Sequence, residues 1–348
     1  MQETRLLGEE WRGACLQLVQ DTLLVVMEDE REDARLTDLF LAVAFDLRSR
    51  RPLGPMNSFG SPVHLVGLPA LAPTPVLASA TAETLTITDM RNGSVLKTFP
   101  LPDTGTGKRS FDGYHLAMGH HGGRDLLFLH QAGEGHHHSV SAVDLATGES
   151  LPALGFNHCR YREISECLTL RHGYLVCPTT KEVVEAWDYG FDTIDKPFVH
   201  VQRADDGSRV GEVGLHGWVP EGRAVDIVRA AGNTYLAEAE DIVTLPDLEP
   251  VFSAGDPWAV VSRVTEWDGR PVAVIVQERN RPQELPGLLY LLFLDTKTPQ
   301  KIVLPWPAPP RVHDLLATPD GTIVVSSAAG VHVLDVDPSE AARTNPPK

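Results

Sequence analysis

Eight histidines, His115, His120, His121, His130, His136, His137, His138 and His158, fall within one stretch of the chain. Neutral imidazole is a good ligand for zinc, copper or nickel, so metal binding is the first chemistry they suggest. Ligands must also be held in place. Residues 133–138 read as a glycine-spaced turn, and no carboxylate or cysteine is fixed beside them at ligand spacing. A metal site needs further groups that orient its imidazoles, so a solvated loop is the reading these residues favour. Phosphate loops, GxSxG, HExxH, EF-hand loops and dinucleotide fingerprints do not occur. No catalytic residue is assigned, and no cofactor or metal is expected.

A second set carries recognition chemistry. Arg12, Tyr114, Arg160, Tyr161, Arg162, Arg223, Trp258 and Arg311 each stand just ahead of, or at the start of, an apolar strand-like run. Arginine offers a forked donor and aromatics offer large rigid area, which is why both anchor interfaces. The same arginines have acidic runs available to them, Glu28 to Asp33 and Glu238 to Asp241, and the two uses are compatible. Trp187, Tyr189 and Phe191 crowd the segment 181–191. They form either an apolar patch that takes a partner or a lid folded over the structure beneath.

The elements that must position these residues are short strands. The chain has 348 residues, 42% of them hydrophobic, enough for a large core. No 3.6-residue apolar period is sustained, whereas runs of period two recur between turn residues. The longest purely apolar run, Leu288 to Leu294, falls far short of the ~20 residues of a membrane helix. Residues 1–10 have neither the basic nor the apolar part of a signal peptide. Cys15, Cys159, Cys167 and Cys177 form no CxxC pair and read mostly as small core residues of a reduced compartment, so a cytoplasmic address is expected. A net charge of −17 disfavours nucleic acid and anionic membranes, both of which reward positive surfaces.

One unit sets the rhythm. Pro319, Asp320 and Gly321 turn into an apolar strand, Thr322–Ser326; Ala328 to Gly330 turn again; Val331–Leu334 alternates and ends on Asp335. This cadence resembles the blades of WD40-like β-propellers. Its final Asp returns as Asp46, Asp89, Asp144, Asp205, Asp247 and Asp295, each at or just after a third strand. Gly-His and Trp-Asp signatures are mostly absent.

The resemblance implies an all-β, seven-bladed propeller of four-stranded antiparallel blades, a single domain over residues 4–337 with a flexible tail at 338–348. Residues 4–8 are expected to supply the missing outer strand of the last blade. In blade three the outer strand is expected at Ser150–Leu154. In blade four the third strand is expected from Phe198, with Thr180–Lys196 an inserted loop. Loops joining strands two and three, and those joining blade to blade, share a face that the family calls the top. The long loops 29–38, 131–138, 180–196 and 278–286 belong there, whereas the opposite turns are mostly tight. The expected function is a non-catalytic scaffold, a monomer that takes a protein or acidic peptide on that top face. A propeller enzyme of the lactonase kind, with a metal or carboxylate at the channel mouth, is the alternative.

Overall fold

The structure is a computed structural model and describes residues 2–11, 14–28, 40–60, 63–80, 84–100, 115–132, 137–159, 169–187, 190–214, 225–238, 241–253, 260–277, 288–303 and 312–337. Alternating apolar positions between turn residues drive the chain into strands, because successive side chains fall on opposite faces.

β1 (Gln2–Leu7) comes first. It is followed by β2 (Cys15–Val19), β3 (Thr22–Glu28), β4 (Phe40–Asp46), β5 (Arg51–Pro52) and β6 (Asn57–Phe59). Next come β7 (Val63–Val66), β8 (Val76–Ala80), β9 (Thr84–Asp89) and β10 (Val95–Pro100). Blade three has β11 (His115–His121), β12 (Arg124–Ala132), β13 (His137–Asp144) and β14 (Phe156–Cys159). Blade four has β15 (Thr169–Arg171), β16 (Tyr174–Trp187), β17 (Gly190–Arg203) and β18 (Arg209–Gly214). Then follow β19 (Asp226–Ala230), β20 (Asn233–Glu238), β21 (Asp241–Leu245) and β22 (Pro250–Ser253). Blade six has β23 (Val260–Trp267), β24 (Arg270–Gln277), β25 (Leu288–Phe293) and β26 (Thr298–Val303). The last blade has β27 (Val312–Ala317), β28 (Thr322–Ser327) and β29 (Gly330–Asp335).

Each group forms one antiparallel sheet, and the seven sheets are the blades of a propeller. Two compact units are present, Met1–Leu16 with Asp226–Lys348, and Gln17–Val225. Within each, the core lies between successive blades. Val274, Leu289 and Leu291 of blade six pack with Leu315, Ile323 and Val325 of blade seven. Burying a Val or Leu side chain contributes about 1.5–3 kcal/mol.

A repeated hydrogen bond ties the turns at one end of the blades. In blade five the last residue of the third strand, Leu245, is buried; in the other six the buried apolar residue follows that strand: Leu47, Met90, Leu145, Ala204, Leu294 and Val336. Its backbone N–H reaches the chain leaving the first turn, as in Leu47 to the Asp21 carbonyl, Ala204 to Gly173 and Val336 to Gly321. First turns such as His172–Gly173 and Asp268–Gly269 have two consecutive positive φ values, the geometry of tight type I′ hairpins. Of the seven aspartates, Asp46, Asp89, Asp144 and Asp335 end the third strand. Asp205, Asp247 and Asp295 lie further into the turn, where Arg203, Leu245 and Phe293 end the strand instead.

The first strand closes the last blade as expected. β1 pairs antiparallel with β29, Thr4 opposite Val333 and Leu7 opposite Val331. At Gly330, φ is +108°, and a Cβ there would collide with the carbonyl oxygens of Leu7 and Gly8. Close approach of β1 therefore requires glycine at this position.

Two expectations need correction. The outer strand of blade three is Phe156–Cys159, paired with His137–Val140, and not Ser150–Leu154. Pro152–Leu154 forms a 3₁₀ turn with Pro152 at its start, where the missing N–H costs nothing. Blade four does have its third strand through Phe198, but Thr180–Lys196 is no loop. It extends β16 and β17 into a continuous hairpin paired from Tyr174↔Arg203 to Trp187↔Gly190. The β-branched residues Val183, Val184, Thr193 and Ile194 favour that extended form.

Candidate docking surface

Within a blade the antiparallel strand order puts the first and third connections at one end and the second connection at the other, the last blade having only the first two. At the first end most turns are short and internally tied, with longer connections at 67–75 and 145–155. Asp46 accepts from the Ser49 amide, Asp89 from Arg91, and Asp144 from Ala146 and Thr147. These amides hold the Asp46 and Asp144 carboxyls below the usual carboxylate range. Arg270 clasps Asp295 through two 2.8 Å hydrogen bonds, which lowers the Asp295 pKa in the same way.

The histidines of blade three divide between the two ends. His120 Nδ1 lies 2.7 Å from Asp125, whose other oxygen accepts from the Leu71 amide at 3.1 Å. His121 contacts Asp205 of blade four. The Asp125–Leu71 and His121–Asp205 contacts join neighbouring blades, whereas His120 and Asp125 belong to the same blade. His137 pairs with Cys159 and His138 with His158 in the β13–β14 register, and His136 lies outside the described residues. Among the described residues, no group of three or more His, Cys, Asp or Glu side chains is placed to hold a metal.

Charges are buried in the blades themselves. Asp314 is 8% exposed, and Arg263 is 7%. The Asp314 carboxylate accepts from Arg263 Nη2 at 2.9 Å, from the Leu16 amide at 2.8 Å and from the Leu315 amide at 2.8 Å. One carboxylate thus joins β2, β23 and β27. A carboxylate inside a mainly apolar inner strand, Val312–Ala317, was the available sequence signal for it. Burial lowers the His200 pKa, with Arg209 acting in the same direction and Glu212 opposing. The buried thiol of Cys177 is pushed up to about 12, whereas Cys15 is exposed and not the core residue expected.

The opposite end carries the hairpin. β15 pairs only with Tyr174–Val176 of β16, and β18 pairs only with Phe198–Gln202 of β17. From Thr180↔Pro197 to Trp187↔Gly190 the two strands therefore run as a two-stranded ribbon, with no further strand on either edge among the described residues. At 3.3 Å per residue it is roughly 25 Å long. Its register puts Val183 opposite Ile194, Ala186 opposite Phe191 and Trp187 opposite Gly190. Trp187 and Phe191 stand at successive register positions near the ribbon tip, opposite Gly190 and Ala186, while Tyr189 lies outside the described residues. So do Arg12, Tyr114, Arg160, Tyr161, Arg162, Arg223, Trp258 and Arg311, which occupy the connections from one blade to the next.

No protein-family model matches the chain, and no curated protein matches it. A solved structure does. The crystal structure of BBS1N in complex with ARL6DN, soaked with lead, superposes with a TM-score of 0.52. Identity is 11%, over 93% of this chain and 92% of that one. At this identity the likeness is one of fold, and the fold is the seven-bladed propeller. No helix among the described residues is long and apolar enough to cross a membrane.

Proposed function

We propose that the chain is a non-catalytic recognition scaffold, a divergent WD40-like propeller domain over residues 4–337. Its partner is a protein segment taken at the end of the blades that carries the β16–β17 ribbon. The ribbon carries this reading: it extends blade four as an edge-exposing hairpin, on a scaffold whose other end is tied down mostly by short turns. Elaborated segments on a rigid frame are where binding resides. The likeness to BBS1N, solved with ARL6DN bound, adds a precedent for a protein partner on such a fold.

In this reading the arginines of the blade-to-blade connections add a positive rim to an acidic molecule, suited to an acidic peptide. Replacing residues 180–197 by a two-residue Asn-Gly turn tests the proposal. Proteins recovered with the full chain from native extract should be lost with the shortened one, while its melting temperature stays close. Retention of those proteins by the shortened chain, or their loss on changing the tight turns instead, would overturn it.

A further inference from the structure

The ribbon register contains an internal conflict. Lys181 is opposite Lys196, Glu185 is opposite Asp192, and Glu182 is opposite Asp195. Like charges directly opposite destabilise a pair of strands. A two-stranded ribbon is already marginal in water without a third strand or a packing surface. Nevertheless, the strands are paired throughout this stretch.

The same sequence is complementary to itself in the other direction. Among the described residues, the free edge of β17 runs from Phe191 to Pro197, bounded by Phe198, where β18 begins to pair. That run has its midpoint at Ile194. When two copies pair antiparallel about a two-fold axis at Ile194, each Asp192 comes opposite Lys196 of the other copy. Ile194 meets Ile194, Thr193 meets Asp195, and Phe191 meets Pro197. The four-stranded sheet β16-β17-β17-β16 then has a central row of Val183, Ile194, Ile194 and Val183. Its flanking rows read Lys181, Lys196, Asp192 and Glu185, with opposite charges meeting at the new junction. Glu182 and Asp195 stay opposed within each copy.

We infer that the free edge of β17 is a self-association edge, and that its occupant is a second copy of this chain paired antiparallel about Ile194. Such an interface is isologous and closes after two copies, so it forms a dimer and no fibre. It also covers an edge that would otherwise template irregular pairing. The inference is independent of the partner proposed above, because it rests on register and charge alone.

Charge reversal separates this role from a merely structural one. D192K places a favourable pair within the ribbon, against Glu185, but sets like charges opposite at the junction between copies. Sedimentation of the full chain over a concentration series should show a dimer that D192K weakens roughly tenfold or more, since two facing pairs change sign. The melting temperature of the dissociated chain should not fall. D192K with K196D restores opposite charges and should restore the dimer. A cysteine introduced by I194C should form a disulfide-linked dimer on mild oxidation, because self-opposed Cα atoms lie about 4.5–5.5 Å apart, within disulfide reach. T193C should cross-link far less. A wild-type chain that is monomeric at every concentration, a D192K variant that dimerises normally, or equal cross-linking at 193 and 194 would overturn the inference.

Discussion

Glu3 Oε1 and His332 Nδ1 lie 2.8 Å apart across 329 residues of sequence. The pair links β1 to β29 and so closes the last blade. β1 covers the outer edge of β29, which would otherwise present unpaired N–H and C=O groups.

Deleting residues 1–9 is expected to lower the melting temperature by about 5 °C or more and to make aggregation concentration-dependent. Gly330→Ala should reproduce part of this loss, because the added methyl meets the carbonyls of Leu7 and Gly8. Thermal melts with light scattering check both. A truncated chain that melts like the full one would mean that β1 contributes little to closure.

Asp314→Ala leaves the Arg263 guanidinium buried without its carboxylate and releases the Leu16 and Leu315 amides. The expected cost is about 3–5 kcal/mol, read from urea unfolding. Arg263→Met together with Asp314→Leu should recover much of it, since replacing a whole buried pair by apolar groups is often neutral.

His200 gives stability a pH dependence of known sign. Its pKa in the fold is lowered, chiefly by burial, so the unfolded chain takes up a proton that the folded chain resists. The contribution is therefore complete above about pH 6.5, the unfolded value. It is lost as pH falls from there through the lower folded value. Urea midpoints between pH 7.5 and 5 should fall less steeply for His200→Gln than for wild type. Equal slopes would refute the assignment.

The proposed arginine rim makes a separate forecast about salt. If Arg160 and Arg223 focus a positive field toward an acidic segment, binding should weaken as the Debye length shrinks below about 10 Å. Arg160→Ala with Arg223→Ala should remove binding and hardly move the melting temperature, since exposed charges contribute little stability. Titration of an acidic peptide at 0.05 and 0.5 M salt measures this.

Strand positions were legible where period-two patterning met a turn signal. Val76–Ala80 and Asp241–Leu245 fall on the residues that the pattern marks. Blade three misled because Ser150 to Leu154 looks extended, whereas Pro152 sets a helical φ and delays the outer strand to Phe156. The ribbon misled for a different reason. Like charges at opposed positions, with Pro178 and Pro197 nearby, look like a solvated insertion when the pairing is unknown. The Asp314–Arg263 pair spans 51 residues, and no local spacing announces it. Of the expected site, only Trp187 and Phe191 lie among the described residues, on adjacent rungs of a hairpin whose pairing the sequence alone does not reveal.

Closure by β1 also sets an order in time. A ribosome adding about 5–20 residues per second needs roughly 15–65 s to travel the 329 residues from Glu3 to His332. For that whole interval the first strand of the nascent chain has no native partner. A six-residue segment bearing Leu6 and Leu7 is left available to chaperones or to wrong edges. Slowing translation anywhere between β1 and β29 should therefore lower the yield of native protein, and less so for a chain from which β1 has been deleted.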